Sequence, residues 1–260
     1  ALCAASLTSV QAAQPITDPV FASDIVDRYA DHIFYGSGAT GMALVVIDGN
    51  QRVFRSFGET RPGNNVHPQL DSVIRIASIT KLMTAMVVLD AKLPLDEAIT
   101  ISEEDIDRMR NTSSRLSVGT VLSRAELLLL ALMSSENRAA HALARTYPGG
   151  VNAAVAAMNR KAAALGMTQT RFEDGTGLSS NNVASPKDLV ALVKTSNTYP
   201  LIRRFSTTGG HAVAIKDSVQ QFNNTNMLVK SPDWEIGVSK TGYINEAGKC
   251  LVMQAKIKST

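Results

Sequence analysis

The sequence predicts an α/β fold of the α+β kind: an antiparallel sheet flanked by helices, joined to a separate all-helical lobe. Three observations predict it. β-Branched runs and turn signals gather near both ends of the chain, and the middle reads as helices and loops. An apolar fraction of 45% over 260 residues supplies a core of ordinary size. Aromatic residues make up only 5% of the chain, so that core must rest on Ala, Leu, Val, Ile and Met. Residues 14–91 and 206–260 are expected to form the sheet-and-helix lobe and residues 92–205 the helical lobe. Residues 1–13 are expected to be a signal-peptide remnant or a disordered tail.

That first stretch is small, apolar and uncharged. Val10-Gln11-Ala12 places small residues at the −3 and −1 places of a cleavage site, so the protein is expected to be exported. Asp18 to Phe34 reads as an amphipathic helix, with Val20, Ile25, Val26, Tyr29 and Ile33 near one face. Met42 to Ile47 and Val53 to Phe57 read as strands of a hairpin turned at Asp48-Gly49-Asn50. Val73 to Ile76 is a further short strand. Ser78 to Leu89 is a helix with apolar residues nearly all round, the pattern of a buried helix.

In the middle region, Ser123 to Arg145 is helical, opened by a capping box (Ser123 with Glu126) and divided near Ser134. Val151 to Leu165 is an Ala-rich helix ended by Gly166, and Ser185 to Lys194 a helix with Ser185 as cap and Pro186 in its first turn. Strands return at His211 to Ile215, Ile236 to Ser239 and Cys250 to Ile257. The last pair turns at Asn245 to Lys249. An antiparallel sheet ordinarily continues beyond such a strand through a partner strand and a covering helix, so the expectation is either that this C-terminal strand and helix are missing from the sequence or that the edge is completed in another way.

Charge and composition exclude several functions. The 26 basic and 23 acidic residues leave a net charge of +3, too small and scattered for a nucleic-acid surface. His32, His67, His141 and His211 form no ligand pair, and Cys3 and Cys250 have no metal spacing, so neither metal nor organic cofactor is expected.

The chemistry lies in three short elements. In Ser78-Ile79-Thr80-Lys81, residues three apart share a helix face, which sets Lys81 beside the Ser78 hydroxyl. A serine needs a base to become a nucleophile, and a lysine serves once burial lowers its pKa. Ser135-Glu136-Asn137 opens a helix in the middle region. Lys240-Thr241-Gly242 ends a strand, with a cation, a hydroxyl and a glycine that lets a substrate backbone approach. Each alone is ordinary; the three in this order form a signature.

With these motifs the chain resembles the low-molecular-mass penicillin-binding proteins, serine-type D-alanyl-D-alanine peptidases with a β-lactamase-like transpeptidase fold. Asp174-Gly175-Thr176-Gly177-Leu178, Ser185-Pro186-Lys187-Asp188-Leu189 and Asn224-Thr225-Asn226-Met227-Leu228 extend the resemblance. Met133 to Ala140 most resembles the endopeptidase branch. The resemblance implies that Ser78 attacks the carbonyl of a penultimate D-alanine and that Lys81 takes its proton. Ser135 and Lys240 then relay a proton to the leaving amine. Asn137, Thr241, Gly242 and Tyr243 bind substrate, with the N–H groups of Ser78 and Tyr243 as oxyanion hole. It implies peptidoglycan stem peptides as substrate, β-lactams as inhibitors, other cell-wall enzymes as partners and a periplasmic location. No glutamate matches a β-lactamase deacylating base, Glu173 having peptidase-like neighbours, so deacylation of a bound β-lactam is expected to be slow. A carboxypeptidase is the alternative; a β-lactamase or a non-catalytic wall-binding protein are more distant ones.

Overall fold

The computed structural model describes residues 5–7, 27, 30–36, 38–48, 51–215 and 218–257. In chain order the elements are β1 (Ala5–Leu7), α1 (residues 30–36), β2 (Gly41–Asp48), β3 (Gln51–Gly58), β4 (Ile74–Arg75) and α2 (Thr80–Asp90). Then follow β5 (Ala98–Thr100), β6 (Val121–Ser123), α3 (Arg124–Met133), α4 (Asn137–Arg145), α5 (Gly150–Ala164), β7 (Val183–Ala184), α6 (Pro186–Ser196) and α7 (Pro200–Thr207). Strands β8 (Gly210–Ile215), β9 (Ser218–Asn223), β10 (Trp234–Ile244) and β11 (Gly248–Ile257) complete the chain.

The main sheet runs β10-β11-β1-β2-β3. Two antiparallel hairpins, β10–β11 and β2–β3, flank β1, which is parallel to both of its neighbours. The two hairpins are antiparallel, as expected, and β1 adds parallel pairing between them, so the sheet as a whole is mixed. Since β2 and β11 run the same way, a strand between them must be parallel to both or antiparallel to both. Ala5–Leu7, within the stretch read as a signal remnant or disordered tail, supply that strand, and the rest of residues 1–13 lie outside the described residues. Of the expected first helix, residues 30–34 belong to α1 and residues 18–26 fall outside the described residues; so does the turn at residues 49 and 50.

Strand β2 shows why the sheet needs cover on both sides. Met42 and Val46 point to one face, where they pack with Ala30, Phe34 and Phe57. Val45 and Ile47 alternate to the other and join the large core with Leu189, Leu192 and Val193 of α6. Helix α7 packs on β10. Helix α2 is buried from Thr80 to Val88, as an all-round apolar sequence demands.

Several boundaries moved. Ser78 belongs to a 3-10 turn, Ala77–Ile79, immediately before α2 rather than to the helix itself. Ile74–Arg75 pair with β7 in a separate two-stranded ladder and not in the main sheet. The expected helix 123–145 divides at Ser134 into α3 and α4, and the Ser123–Glu126 capping box is present. Strand β10 runs on to Ile244, so Lys240-Thr241-Gly242 lies within it and is not at its end.

Candidate active site

Three elements meet at one cleft of about 870 Å³, lined among others by Ser78, Ser135, Asn137, Thr225, Thr241, Gly242 and Tyr243. The buried 3-10 turn and α2 bring Ser78 and Lys81. The α3–α4 junction brings Ser135 and Asn137, and β10 brings Lys240 to Tyr243.

Lys81 is 1% exposed, and its amine has three acceptors at hand. It donates to Ser78 Oγ at 2.8 Å, to Asn137 Oδ1 at 2.8 Å and to the Thr176 carbonyl at 2.6 Å. Burial drives its pKa down to about 8, against the opposing pull of the negative charges on Asp174 and Glu136. The same contacts suit neutral lysine. Two N–H groups then stay on Asn137 and Thr176, and the lone pair faces the Ser78 hydroxyl.

On the opposite wall Lys240, also 1% exposed, donates to Ser135 Oγ at 2.9 Å and to the Thr241 carbonyl at 2.7 Å. Burial, reinforced by the Lys81 charge, holds it well below an ordinary lysine. Thr241 Oγ1 donates to Thr225 Oγ1 at 2.6 Å, leaving its lone pairs toward the cleft. Tyr243 is exposed at the cleft mouth.

The backbone around Ser78 is held under strain. Ala77 has φ of 45° and Ser135 φ of 59°, left-handed values that cost a residue with a side chain. Ala77 immediately precedes Ser78, and Ser135 is itself a residue of the three motifs. Gly242 lets β10 close on the Ser78 turn: a Cβ there would sit 3.0 Å from the Ser78 nitrogen. Gly177, with φ of +85°, comes closer still from the loop before β7.

The sequence reading quoted Asp174 to Leu178 only for the resemblance and assigned no role to the supports of this site. The Asp174 carboxylate knots residues 174–179 by accepting from the Thr176, Gly177 and Ser179 N–H groups, which aims the Thr176 carbonyl at Lys81. Buried Asn182 ties that loop to α2 through Thr80 Oγ1. Thr112 accepts from Asn137 Nδ2. Arg110 bridges from the Leu178 carbonyl to Glu246 beside the cleft. A backbone carbonyl such as that of Thr176 has no side-chain signal; Thr112 has none either, since a loop threonine is ordinary.

Other expected residues stand apart. Glu173 faces Ser179 and Asn181 on the surface, away from Ser78. His141 binds the buried Asp105 carboxylate, which Arg145 also grips. Among the described residues no group of three His, Cys, Asp or Glu can hold a metal, and no helix is long and apolar enough to cross a membrane.

Comparison with known proteins agrees with the geometry. The family profile for D-alanyl-D-alanine carboxypeptidases, peptidase family S11, matches residues 66–260, and the β-lactamase profile matches residues 25–93. The two overlap on the segment that carries Ser78 and Lys81. A D-alanyl-D-alanine endopeptidase of Pseudomonas aeruginosa is 54% identical over 189 residues, 72% of this chain, which spans 61% of that relative's length. The D-alanyl-D-alanine-carboxypeptidase/endopeptidase AmpH of Escherichia coli is 90% identical over 84 residues, 32% of this chain and 22% of that protein. The crystal structure of the Streptomyces K15 DD-transpeptidase superposes with a TM-score of 0.64 at 30% identity, covering 74% of this chain and 80% of its own. With a sheet flanked by helices, a cleft-lining serine paired with a buried lysine and a family profile that takes in every element of the cleft, the chain belongs to the D-alanyl-D-alanine carboxypeptidase family of serine peptidases and has its penicillin-binding fold.

Proposed function

We propose that this protein is a serine D-alanyl-D-alanine endopeptidase that hydrolyses D-alanyl–diaminopimelate crosslinks of peptidoglycan in the periplasm. The observation that carries the reading is the 2.8 Å contact of a buried, pKa-lowered Lys81 with Ser78. Neutral Lys81 takes the Ser78 proton while Oγ attacks the carbonyl of the penultimate D-alanine. The N–H groups of Ser78 and Tyr243 receive the oxyanion, a preorganised pair worth roughly 3 kcal/mol per donor. As the C–N bond breaks, a proton passes through Ser135 and Lys240 to the leaving amine. Asn137 holds the substrate amide. Thr241 and Lys240 hold a carboxylate of the leaving residue, and that carboxylate favours the protonated form of Lys240. Water then hydrolyses the ester on Ser78.

The endopeptidase reading is supported by the similarity to the Pseudomonas protein named a D-alanyl-D-alanine endopeptidase and by the open cleft that Ser78 lines. A carboxypeptidase activity is the second reading, favoured by the match of one segment to AmpH. A digest of purified crosslinked dimer and of pentapeptide separates them. Release of monomers from the dimer supports the first; loss of terminal D-alanine alone supports the second. The protein's interaction with other cell-wall enzymes belongs to the same proposal.

The pH dependence of acylation follows from Lys81. Only neutral lysine accepts the proton, so kcat/KM rises with pH through about 8 and levels above it. At pH 7 about a tenth of Lys81 is neutral, roughly 300-fold more than for a lysine of ordinary pKa. Stopped-flow acylation by a chromogenic β-lactam between pH 6 and 10 measures that limb. A limb near 10 contradicts the role of burial.

A further inference from the structure

The amide of Asn137 can face Lys81 in two ways, and they have opposite consequences. With Oδ1 toward Lys81, it accepts an N–H and leaves the neutral amine's lone pair for the Ser78 proton. With Nδ2 toward Lys81, it donates into that lone pair and the base is occupied. What chooses between them lies one residue further out. Thr112 Oγ1 is 3.0 Å from Asn137 Nδ2. Its single proton is committed to Asp107 Oδ2 at 2.7 Å. The hydroxyl can then only accept from Asn137, which forces Nδ2 toward Thr112 and Oδ1 toward Lys81.

Asp107 is well placed to hold that proton. Its Oδ2 also accepts from the Thr112 N–H at 2.9 Å, and its Oδ1 from the Met109 and Arg110 N–H groups at 2.9 and 3.0 Å. Burial opposes its charge, but these hydrogen bonds outweigh burial and keep it ionised, hence an acceptor only. The loop between carries Asn111 at φ of 52°, a strained turn that the one carboxylate closes.

We infer that Asp107 and Thr112 are positioning residues for the reaction: a one-way hydrogen-bond chain, Asn137 to Thr112 to Asp107, that locks the Asn137 amide so that Lys81 can act as base. The inference rests on the acylating role proposed for Ser78 and Lys81.

Thr112→Val keeps the shape and the backbone N–H bond to Asp107 but removes the hydroxyl. Acylation by a chromogenic β-lactam is expected to fall roughly tenfold at its high-pH plateau, the scale of one lost hydrogen bond. Its acidic limb moves to lower pH, because an amide N–H turned to Lys81 disfavours the ammonium. Thr112→Ser restores both plateau and limb. A general loosening lowers the rate without moving the limb. On the wild-type protein, the Asn137 side-chain amide protons give nuclear Overhauser contacts to the Thr112 methyl, a readout independent of how the variants fold. A Thr112→Val variant with wild-type rate and limb, a Thr112→Ser variant that fails to recover, or amide protons lying against Lys81 instead would each overturn the inference. If the wild-type protein does not acylate at all, the underlying functional reading fails, and the amide contacts still test the lock by themselves.

Discussion

Replacing Lys81 with alanine is expected to slow acylation of Ser78 by a β-lactam by about 10²–10⁴-fold, the range that a positioned general base supplies. Ser78 Oγ has Lys81 as its hydrogen-bond partner among the described residues. Without the amine, no side chain hydrogen-bonded to Ser78 Oγ can take its proton, which must pass to solvent in the cleft. The fold should survive. Burying an ammonium is itself costly, so its removal relieves desolvation even as Asn137 Oδ1 and the Thr176 carbonyl lose a donor. A lost partner at a buried acceptor costs about 1–3 kcal/mol, which a thermal melt will register without loss of the transition. Rate constants for labelling by a fluorescent penicillin test the first claim. A variant that labels at the wild-type rate removes Lys81 from the mechanism.

The second large effect belongs to a residue that touches no substrate. Gly177 holds φ of +85°, and a Cβ built there stands 2.0 Å from the Ala77 carbonyl oxygen and 2.8 Å from the Ser78 nitrogen. Both obstacles are backbone, so no side chain can swing aside. Ala77 is itself left-handed at φ of 45°, and the two strained residues face each other across the serine turn. Gly177→Ala must push that turn aside, and misplacement by about 1 Å costs on the order of 100-fold in rate. Gly242→Ala meets the Ser78 nitrogen at 3.0 Å and needs a smaller shift. Acylation rates should therefore fall in the order wild type, Gly242→Ala, Gly177→Ala, with circular dichroism confirming folded protein. A Gly177→Ala variant as fast as wild type shows that the turn is softer than its backbone contacts imply.

How much of this was legible in the sequence depends on the range of each signal. Ser78 and Lys81 are three residues apart, so a helical period alone placed them together, and 2.8 Å separates Nζ from Oγ. That Ser78 occupies a 3-10 turn was not legible, since the two helix types share residue preferences. Ser135 and Lys240 are 105 residues apart, and their 2.9 Å contact was expected only through the set of motifs. The capping box at Ser123 and the Ser185–Pro186 helix start were legible because capping is local chemistry. Strand β1 was not: three residues carry no period, and their partners lie over 35 positions away. Strand β9 was missed because Ser218-Val219-Gln220-Gln221 has polar residues on both faces, and pairing with β8 overrides that composition. Thr112 was not singled out and Thr176 received no role, for one physical reason: the first presents a hydroxyl aimed by an aspartate, the second a backbone oxygen, and neither has a side-chain signature.

The central claim is that Ser78 becomes acylated. Intact mass spectrometry of the protein mixed with benzylpenicillin, with Ser78→Ala in parallel, tests it most directly. The account predicts a persistent gain of one whole benzylpenicillin on the wild type alone, because opening the lactam ring releases nothing. Peptide mapping should place it on Ser78. An adduct on both proteins, or an unmodified wild type with the penicillin untouched, would contradict the account. An unmodified wild type that consumes the penicillin would contradict slow deacylation and identify a β-lactam hydrolase instead.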